Sequence, residues 1–345
     1  MGWEGGEGMQ QSSEKPACGW GIVGLGWVAG DFVVPAMVKS GSKLVACLGS
    51  SPEKTQAFAQ RFGGARAHDN LDSLLHDPAV DAVYIALPNS MHHAAVLAAA
   101  RAKKHILCEK PFAMSVEHAR EMVAACTEAG VILRIAHQIR LEAAVVRARE
   151  IVLSGRLGRL AEMSIERGSA NPARKTWRLD NKQSGVIFDV GVHLLDLIQW
   201  VSGQRFVEVS AFTHPDRKAG KSDDTVTVLG RLEGDCHAVA RATREVGSAE
   251  NNLIVEGAEA TLFTSALRFA REHVVSVRDK NGVTEERFPV SPAYALEIQA
   301  FEGELNGERS LLPDGVDSLQ TVAATQAVLQ SIEERRIVTV PAVGE

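Results

Sequence analysis

The sequence predicts an α/β chain in two parts: a doubly wound parallel sheet, then an α+β region with a large, mostly antiparallel, open-faced sheet. Three observations carry this. Strand and helix signals alternate through the first 138 residues. A glycine-rich loop, Gly24-Leu25-Gly26-Trp27-Val28-Ala29, joins the first apolar strand to the first helix. Beyond residue 138 the alternation gives way to short period-two runs joined by tight turns. Alternating strands and helices imply a parallel sheet, whereas turn-linked strands imply antiparallel pairing.

The first part divides as follows. Residues 19–23 are a short apolar strand, and a helix runs from the loop to Met37. Residues 44–48 form the second strand. Ser51 suits the N-cap of the next helix, Pro52 its first position, and Gly63-Gly64 its end. Residues 82–87 are almost continuously apolar, as a strand buried on both faces requires. An Ala-rich helix over 92–102, a strand over 105–108, a helix over 115–129 stopped by Gly130, and a strand over 131–136 complete the alternation. In the second part a helix over 142–153 precedes strands at 160–166, 207–213, 225–232, 236–244, 253–255, 261–263, 274–277 and 284–289. Helices are expected at 186–201, 293–305 and 315–332.

Composition sets outer limits. The 345 residues suit two domains, 45% of them are apolar, and the formal net charge is −6. No block of Lys and Arg stands out, which argues against a nucleic-acid partner, and no apolar run reaches membrane-spanning length. Residues 1–16 are polar and lack a signal peptide's basic flank and apolar core, so they read as a disordered leader. The expected domains are then 17–138, binding a dinucleotide, and 139–345, binding substrate and a second copy of the chain. Five scattered cysteines show no metal-ligand spacing and read as reduced core residues of a cytoplasmic protein. The histidines form no metal cluster, so no metal is expected.

The loop reads G-x-G-x-x-A in the context that gives this pattern meaning, after a strand and at the start of a helix. Gly24 permits the tight turn, Gly26 lets backbone approach a pyrophosphate, and Ala29 keeps helix and strand close. Trp27 and Val28 complete the cradle at the helix N-terminus. The bland reading is a structural glycine turn. At the end of the second strand an NAD site usually carries an acid, but here Gly49-Ser50-Ser51 follows. Ser50, Ser51 and Lys54 are placed to donate to a 2′-phosphate, so NADP is preferred over NAD; alternatively Ser51 only caps its helix.

Two further segments carry chemistry. Glu109-Lys110-Pro111 closes a parallel strand at the edge where open α/β sheets bind ligands. In Asp189-Val190-Gly191-Val192-His193-Leu194-Leu195-Asp196, the spacing i, i+4, i+7 sets two carboxylates and an imidazole on one helix stripe. Either this is a satisfied core histidine, or a general acid/base held by a carboxylate.

With these motifs the chain resembles the Gfo/Idh/MocA family, that of glucose–fructose oxidoreductase and inositol dehydrogenase. The resemblance runs from about Cys18 to about Val340 and includes Pro88-Asn89-Ser90-Met91-His92 and Asn252-Leu253-Ile254-Val255-Glu256-Gly257. It implies that Lys110 is the catalytic lysine, that Asp189 and His193 are the carboxylate and the acid/base, and that Pro88, Asn89, His92 and Glu109 line the cofactor. His137, Gln138 and Arg140 fall where the family's chain crosses into the second domain, with Arg140 toward substrate. Within the family the text is most similar to NADP-dependent sugar reductases of the 1,5-anhydrofructose type. It departs from them at Leu25 and Trp27 and in lacking an Arg near the second strand. Trp177 and Arg178 suit contact with a sugar's C–H face and hydroxyls; the bland alternative is a loop Trp packed on the sheet.

The expected activity is hydride transfer between nicotinamide and a carbonyl or hydroxyl carbon of a sugar or polyol, with a keto-sugar reductase preferred. The alternatives are an NAD-dependent inositol or sugar dehydrogenase and a non-catalytic dinucleotide-binding regulator. A sheet with one uncovered face predicts a homodimer or homotetramer.

Overall fold

The computed structural model describes residues 18–169, 185–216, 222–246, 249–268 and 270–343. The leader over 1–16, Trp177 and Arg178 lie outside the described residues.

The chain begins with β1 (Gly19–Val23), a π-helical turn (Ala29–Val33) running into α1 (Val34–Ser40), β2 (Lys43–Leu48) and α2 (Pro52–Arg61). Then come β3 (Arg66–Ala67), α3 (Leu71–Leu75), β4 (Ala82–Ile85), α4 (His92–Arg101), β5 (His105–Glu109), α5 (Val116–Ala129) and β6 (Leu133–Ala136). All six strands pair in parallel in the order β3-β2-β1-β4-β5-β6. The order reverses between β1 and β4, which opens a crevice beyond their C-terminal ends. Every residue of β1 and β4 is buried, and each buried aliphatic side chain there contributes about 1.5–3 kcal/mol.

The second sheet begins after a 3₁₀ turn (Gln138–Leu141) and α6 (Ala143–Leu153). Its strands are β7 (Leu160–Gly168), β8 (Phe206–His214), β9 (Thr225–Leu232), β10 (His237–Thr243), β11 (Leu253–Gly257), β12 (Ala260–Thr264), β13 (Glu272–Asp279) and β14 (Gly282–Pro289). A second π-helical turn (Ile187–Gly191) leads into α7 (Val192–Ser202), and α8 (Ala293–Leu305), α9 (Gly315–Glu334) and β15 (Val338–Thr339) close the chain. The order is β14-β13-β12-β11-β7-β10-β9-β8-β15, antiparallel at every pairing but β7–β10. Helices α6, α7 and α9 cover one face. On the other, neighbouring strands align Leu229, Val239, Ser164, Ile254 and Phe263 in one row, and Phe212 is 73% exposed.

Two helices tie the sheets together. α9 packs on α5 as well as on α7 and β8, while α8 returns to α1 and the 3₁₀ turn. Both expected helices at the C-terminal end therefore form, and both lie partly against the first sheet. Strands β3 and β15, two residues each, and the five-residue α3 escaped the sequence reading because they are too short to show a period. No helix among the described residues is long and apolar enough to cross a membrane.

Candidate active site

A cleft of about 1960 Å³ runs from the C-terminal edge of the parallel sheet to the edge of the second sheet. Gly24, Gly26, Trp27, Val28 and Ala29 line one end. Gly24 takes φ +96°, and a Cβ there would stand 2.4 Å from the Ala86 carbonyl oxygen, so only glycine fits. A Cβ at Gly26 would meet no protein atom within 4 Å and would project into open space. The loop thus offers bare backbone at a helix N-terminus, which fits the pyrophosphate of a dinucleotide. Trp27 sits edge-on to Phe32, 4.7 Å between ring centroids, and Phe32 stacks on Tyr294 at 5.1 Å. An aromatic wall therefore joins the phosphate loop to α8.

At the end of β2, Ser50 and Lys54 line the cleft, with Lys54 Nζ 3.4 Å from Ser50 Oγ. Ser51 does not line it. Its hydroxyl accepts from the Lys54 N–H at 3.4 Å and caps α2, because the free N–H groups of the first turn need an acceptor. Arg61, in the last turn of α2, lines the same end and lies 3.7 Å from Asp31. The expectation that no arginine serves this strand end missed it, since it reaches back from the far end of the helix.

Pro88, Asn89 and Glu109 line the middle of the cleft. His92 does not. It is wholly buried, and its ring nitrogens lie 2.9 Å from the carbonyl oxygens of Pro111 and Leu87. It clamps together the two loops that do line the cleft, and burial, the largest influence, holds its pKa below the ordinary histidine value.

Lys110, Asp189 and His193 also line the cleft, and the Lys110 charge acts on the imidazole. The Lys110 ammonium donates to the Asp189 backbone carbonyl at 2.7 Å and lies 3.6 Å from its carboxylate. Asp189 sits in the second π-helical turn, and such turns widen the backbone and occur often at functional sites. Arg244 approaches the same carboxylate at 3.9 Å. Arg167, at the end of β7, also lines the cleft. Burial pushes its pKa down, opposed by the carboxylates of Asp189 and Glu142. The parallel pairing of β7 with β10 brings Arg167 and Arg244 to one edge. That pairing joins strands far apart in sequence, so neither Arg167 in the cleft nor Arg244 behind Asp189 was readable beforehand.

The expected stripe of Asp189, His193 and Asp196 splits. Among the described residues the His193 Nδ1 has no hydrogen-bond partner, so Asp189 does not orient it through that atom. Burial, then Lys110, His137 and Arg167, drive the His193 pKa well below its ordinary value, leaving a neutral imidazole near pH 7. Its ring meets His137 edge-on, with centroids 5.3 Å apart. Asp196 points away into the core, where Arg140 grips it at 2.8 and 2.6 Å and the Thr321 hydroxyl lies at 3.3 Å. Arg140 therefore does not line the cleft: it is a structural ion-pair partner, and the expectation of substrate contact is corrected. No cluster of metal-ligating side chains occurs among the described residues.

A dinucleotide cleft at the reversal point of a parallel sheet, closed by a lysine and a neutral histidine, defines a nicotinamide-dependent oxidoreductase. The chain belongs to the Gfo/Idh/MocA family: residues 18–137 match the oxidoreductase family with NAD-binding Rossmann fold, and residues 145–263 match the GFO/IDH/MocA C-terminal domain. The 1,5-anhydro-D-fructose reductase of Ensifer adhaerens is 32% identical over 90% of this chain and 95% of that protein. The myo-inositol 2-dehydrogenase of Thermotoga maritima is 24% identical over 92% and 97%. The aldose-aldose oxidoreductase of Caulobacter crescentus, solved with glycerol, superposes with TM-score 0.84 at 25% identity over 94% of this chain and 99% of that one. A levoglucosan dehydrogenase solved with NADH and L-sorbose shares the fold, with TM-score 0.84 at 21% identity over 95% and 100%.

Proposed function

We propose that the protein is an NADPH-dependent reductase of a keto-sugar, with Lys110, Asp189 and His193 as its catalytic groups. The observation that carries this is that Lys110 and His193 line one dinucleotide cleft, with the lysine charge acting on the imidazole. When bound, the nicotinamide supplies or takes up a hydride. Lys110, held by the Asp189 carbonyl, presents an ammonium that stabilises negative charge on the substrate oxygen. His193 carries the proton at that oxygen. Asp189 holds Lys110 and a substrate hydroxyl rather than the imidazole. Arg167 lines the same space and bonds a further hydroxyl, while Arg244 stands behind the Asp189 carboxylate. Glycine loop, Pro88, Asn89 and Glu109 hold the nucleotide.

Ser50, Lys54 and Arg61 support NADP, since two cations and a hydroxyl suit a 2′-phosphate. A second reading, an NAD-dependent sugar or polyol dehydrogenase, is favoured by the neutral His193, which is ready to accept a proton from a hydroxyl. Titration with NADPH and NADH, followed by nicotinamide fluorescence, decides between them. NADPH should bind at least about tenfold more tightly, the worth of one charge-assisted hydrogen bond to the phosphate. Tighter NADH binding selects the dehydrogenase.

The row of Leu229, Val239, Ile254 and Phe263 supports a homodimer or homotetramer through the sheet face that no helix among the described residues covers, since such a patch seldom stays wet. Sedimentation velocity should show one of these species; a monomer at micromolar concentration sinks the idea. Cysteines that are all free, four of them buried, suit the cytoplasm.

A further inference from the structure

Behind the cofactor end of the cleft lies a buried acid that the reaction does not use. Glu297 on α8 is wholly buried, and its Oε1 lies 3.0 Å from the Tyr84 hydroxyl. The same hydroxyl lies 2.8 Å from Oε1 of Glu109, which lines the cleft and accepts from the Lys110 backbone N–H at 3.2 Å. Two carboxyl groups thus face one phenol, which has a single proton to donate.

Three observations decide where the protons sit. The second oxygen of Glu297 is buried without a hydrogen-bond partner among the described residues. The ionisable groups that act on Glu297 are Tyr84 from β4, Glu109 from β5 and Tyr294 from its own helix, none of them a cation. α1 and the Gln138–Leu141 turn meet α8 in an apolar cluster that includes Val34, Met37 and Leu141. A second carboxylate there is shut off from solvent and has no counter-charge among the described residues, so ionising it is costly. Burial, reinforced by the Glu109 charge, accordingly raises the Glu297 carboxyl well above the usual range. A neutral Glu297 donates to the Tyr84 oxygen, and Tyr84 then has its own proton free to donate to Glu109.

We propose that Glu297 is a positioning residue for cofactor binding: as a neutral acid it polarises a directed chain, Glu297 to Tyr84 to Glu109, that fixes the Glu109 carboxylate where the nucleotide binds. This rests on the reading of the cleft as a nicotinamide-nucleotide site. It also gives α8, whose sequence precedes α9 at the far end of the chain, a direct hold on the cofactor end of the first sheet.

The test combines infrared spectroscopy of the protein without nucleotide with NADPH titration. The wild type at pH 7 should show the carbonyl stretch of a protonated carboxylic acid, and E297Q, nearly isosteric, should lack it. The E297Q amide N–H still donates to Tyr84, so its NADPH affinity should stay within about twofold of wild type. E297L leaves the Tyr84 oxygen without its donor and Y84F removes the donor to Glu109, so each should weaken NADPH binding by about tenfold. The absence of the band from wild type, its persistence in E297Q, or unchanged affinity in both E297L and Y84F overturns the proposal. If wild type binds neither NADPH nor NADH, the cofactor reading fails and the positioning role fails with it, while a band that vanishes in E297Q still shows the buried proton.

Discussion

Replacing His193 with Ala should lower turnover by about 10²–10⁴-fold while nucleotide affinity stays within about twofold, because the imidazole sits beyond the nucleotide-binding loops. Steady-state kinetics with a fluorescence titration of the same variant checks both halves. Unchanged turnover removes His193 from the chemistry. The histidine's own pH dependence sharpens the expectation. Burial is the largest influence on it, and the Lys110 and Arg167 cations add repulsion of its charged form. Its folded-state pKa is depressed, so the protonated fraction is small at pH 7 and grows as pH falls. In the oxidative direction, where the neutral ring accepts a proton, kcat/KM should stay level from pH 7 down through the ordinary histidine range. In the reductive direction, where the ring must first carry a proton, the rate should climb as pH falls. Lys110→Met removes the nearest strong repulsion and should move the reductive limb to higher pH, in addition to its direct cost.

The division between what the sequence reveals and what it hides follows from distance along the chain. The cofactor loop was legible because its chemistry is local: Gly24 and Gly26 act through their own backbone, between a strand and a helix that the pattern shows. Lys110 was legible because a strand end in a parallel sheet has a known place. His92 misled because a histidine beside a cofactor segment and one bolting two loops together look alike in sequence. Only its two carbonyl contacts, at 2.9 Å each, separate them. The i, i+4, i+7 spacing of Asp189, His193 and Asp196 presumed a regular helix. The π-helical turn at Ile187–Gly191 changes the angle between the first member and the rest, sending Asp189 to Lys110 and Asp196 into the core. Arg167, Arg244 and Glu297 depend on β7 meeting β10 and on α8 folding back onto the first sheet. No local signal announces either long-range event.

Removing one side of the Arg140–Asp196 pair should be the most damaging change to stability. The pair is nearly sealed, with side-chain exposures of 5% and 1%. Burial alone would raise the Asp196 carboxyl, but Arg140, His137 and the hydrogen bonds outweigh it and hold the pKa below the usual range. Arg140→Ala leaves that carboxylate buried without its bidentate partner, and the expected loss is about 3–5 kcal/mol in a denaturant titration. The double variant Arg140→Met, Asp196→Leu should lose clearly less, since it buries no unpaired charge; an equal loss in both would mean that packing, not charge, matters here. His137 supplies a second readout. Although it lies 3.6 Å from Asp196, burial leads, with Arg140 and Lys110 adding to it, in depressing its pKa to about 4. Between pH 6.5 and 4 the unfolded chain binds a proton that the folded one refuses, so wild-type stability falls as pH falls through that window, by about 3 kcal/mol for this group. Arg140→Ala removes one of the repulsions and leaves the Asp196 charge in place, so the His137 pKa should rise. The variant should therefore be far weaker than wild type at pH 7 yet lose less on going to pH 5. A loss on acidification as large as that of wild type would show that Arg140 does not control the histidine.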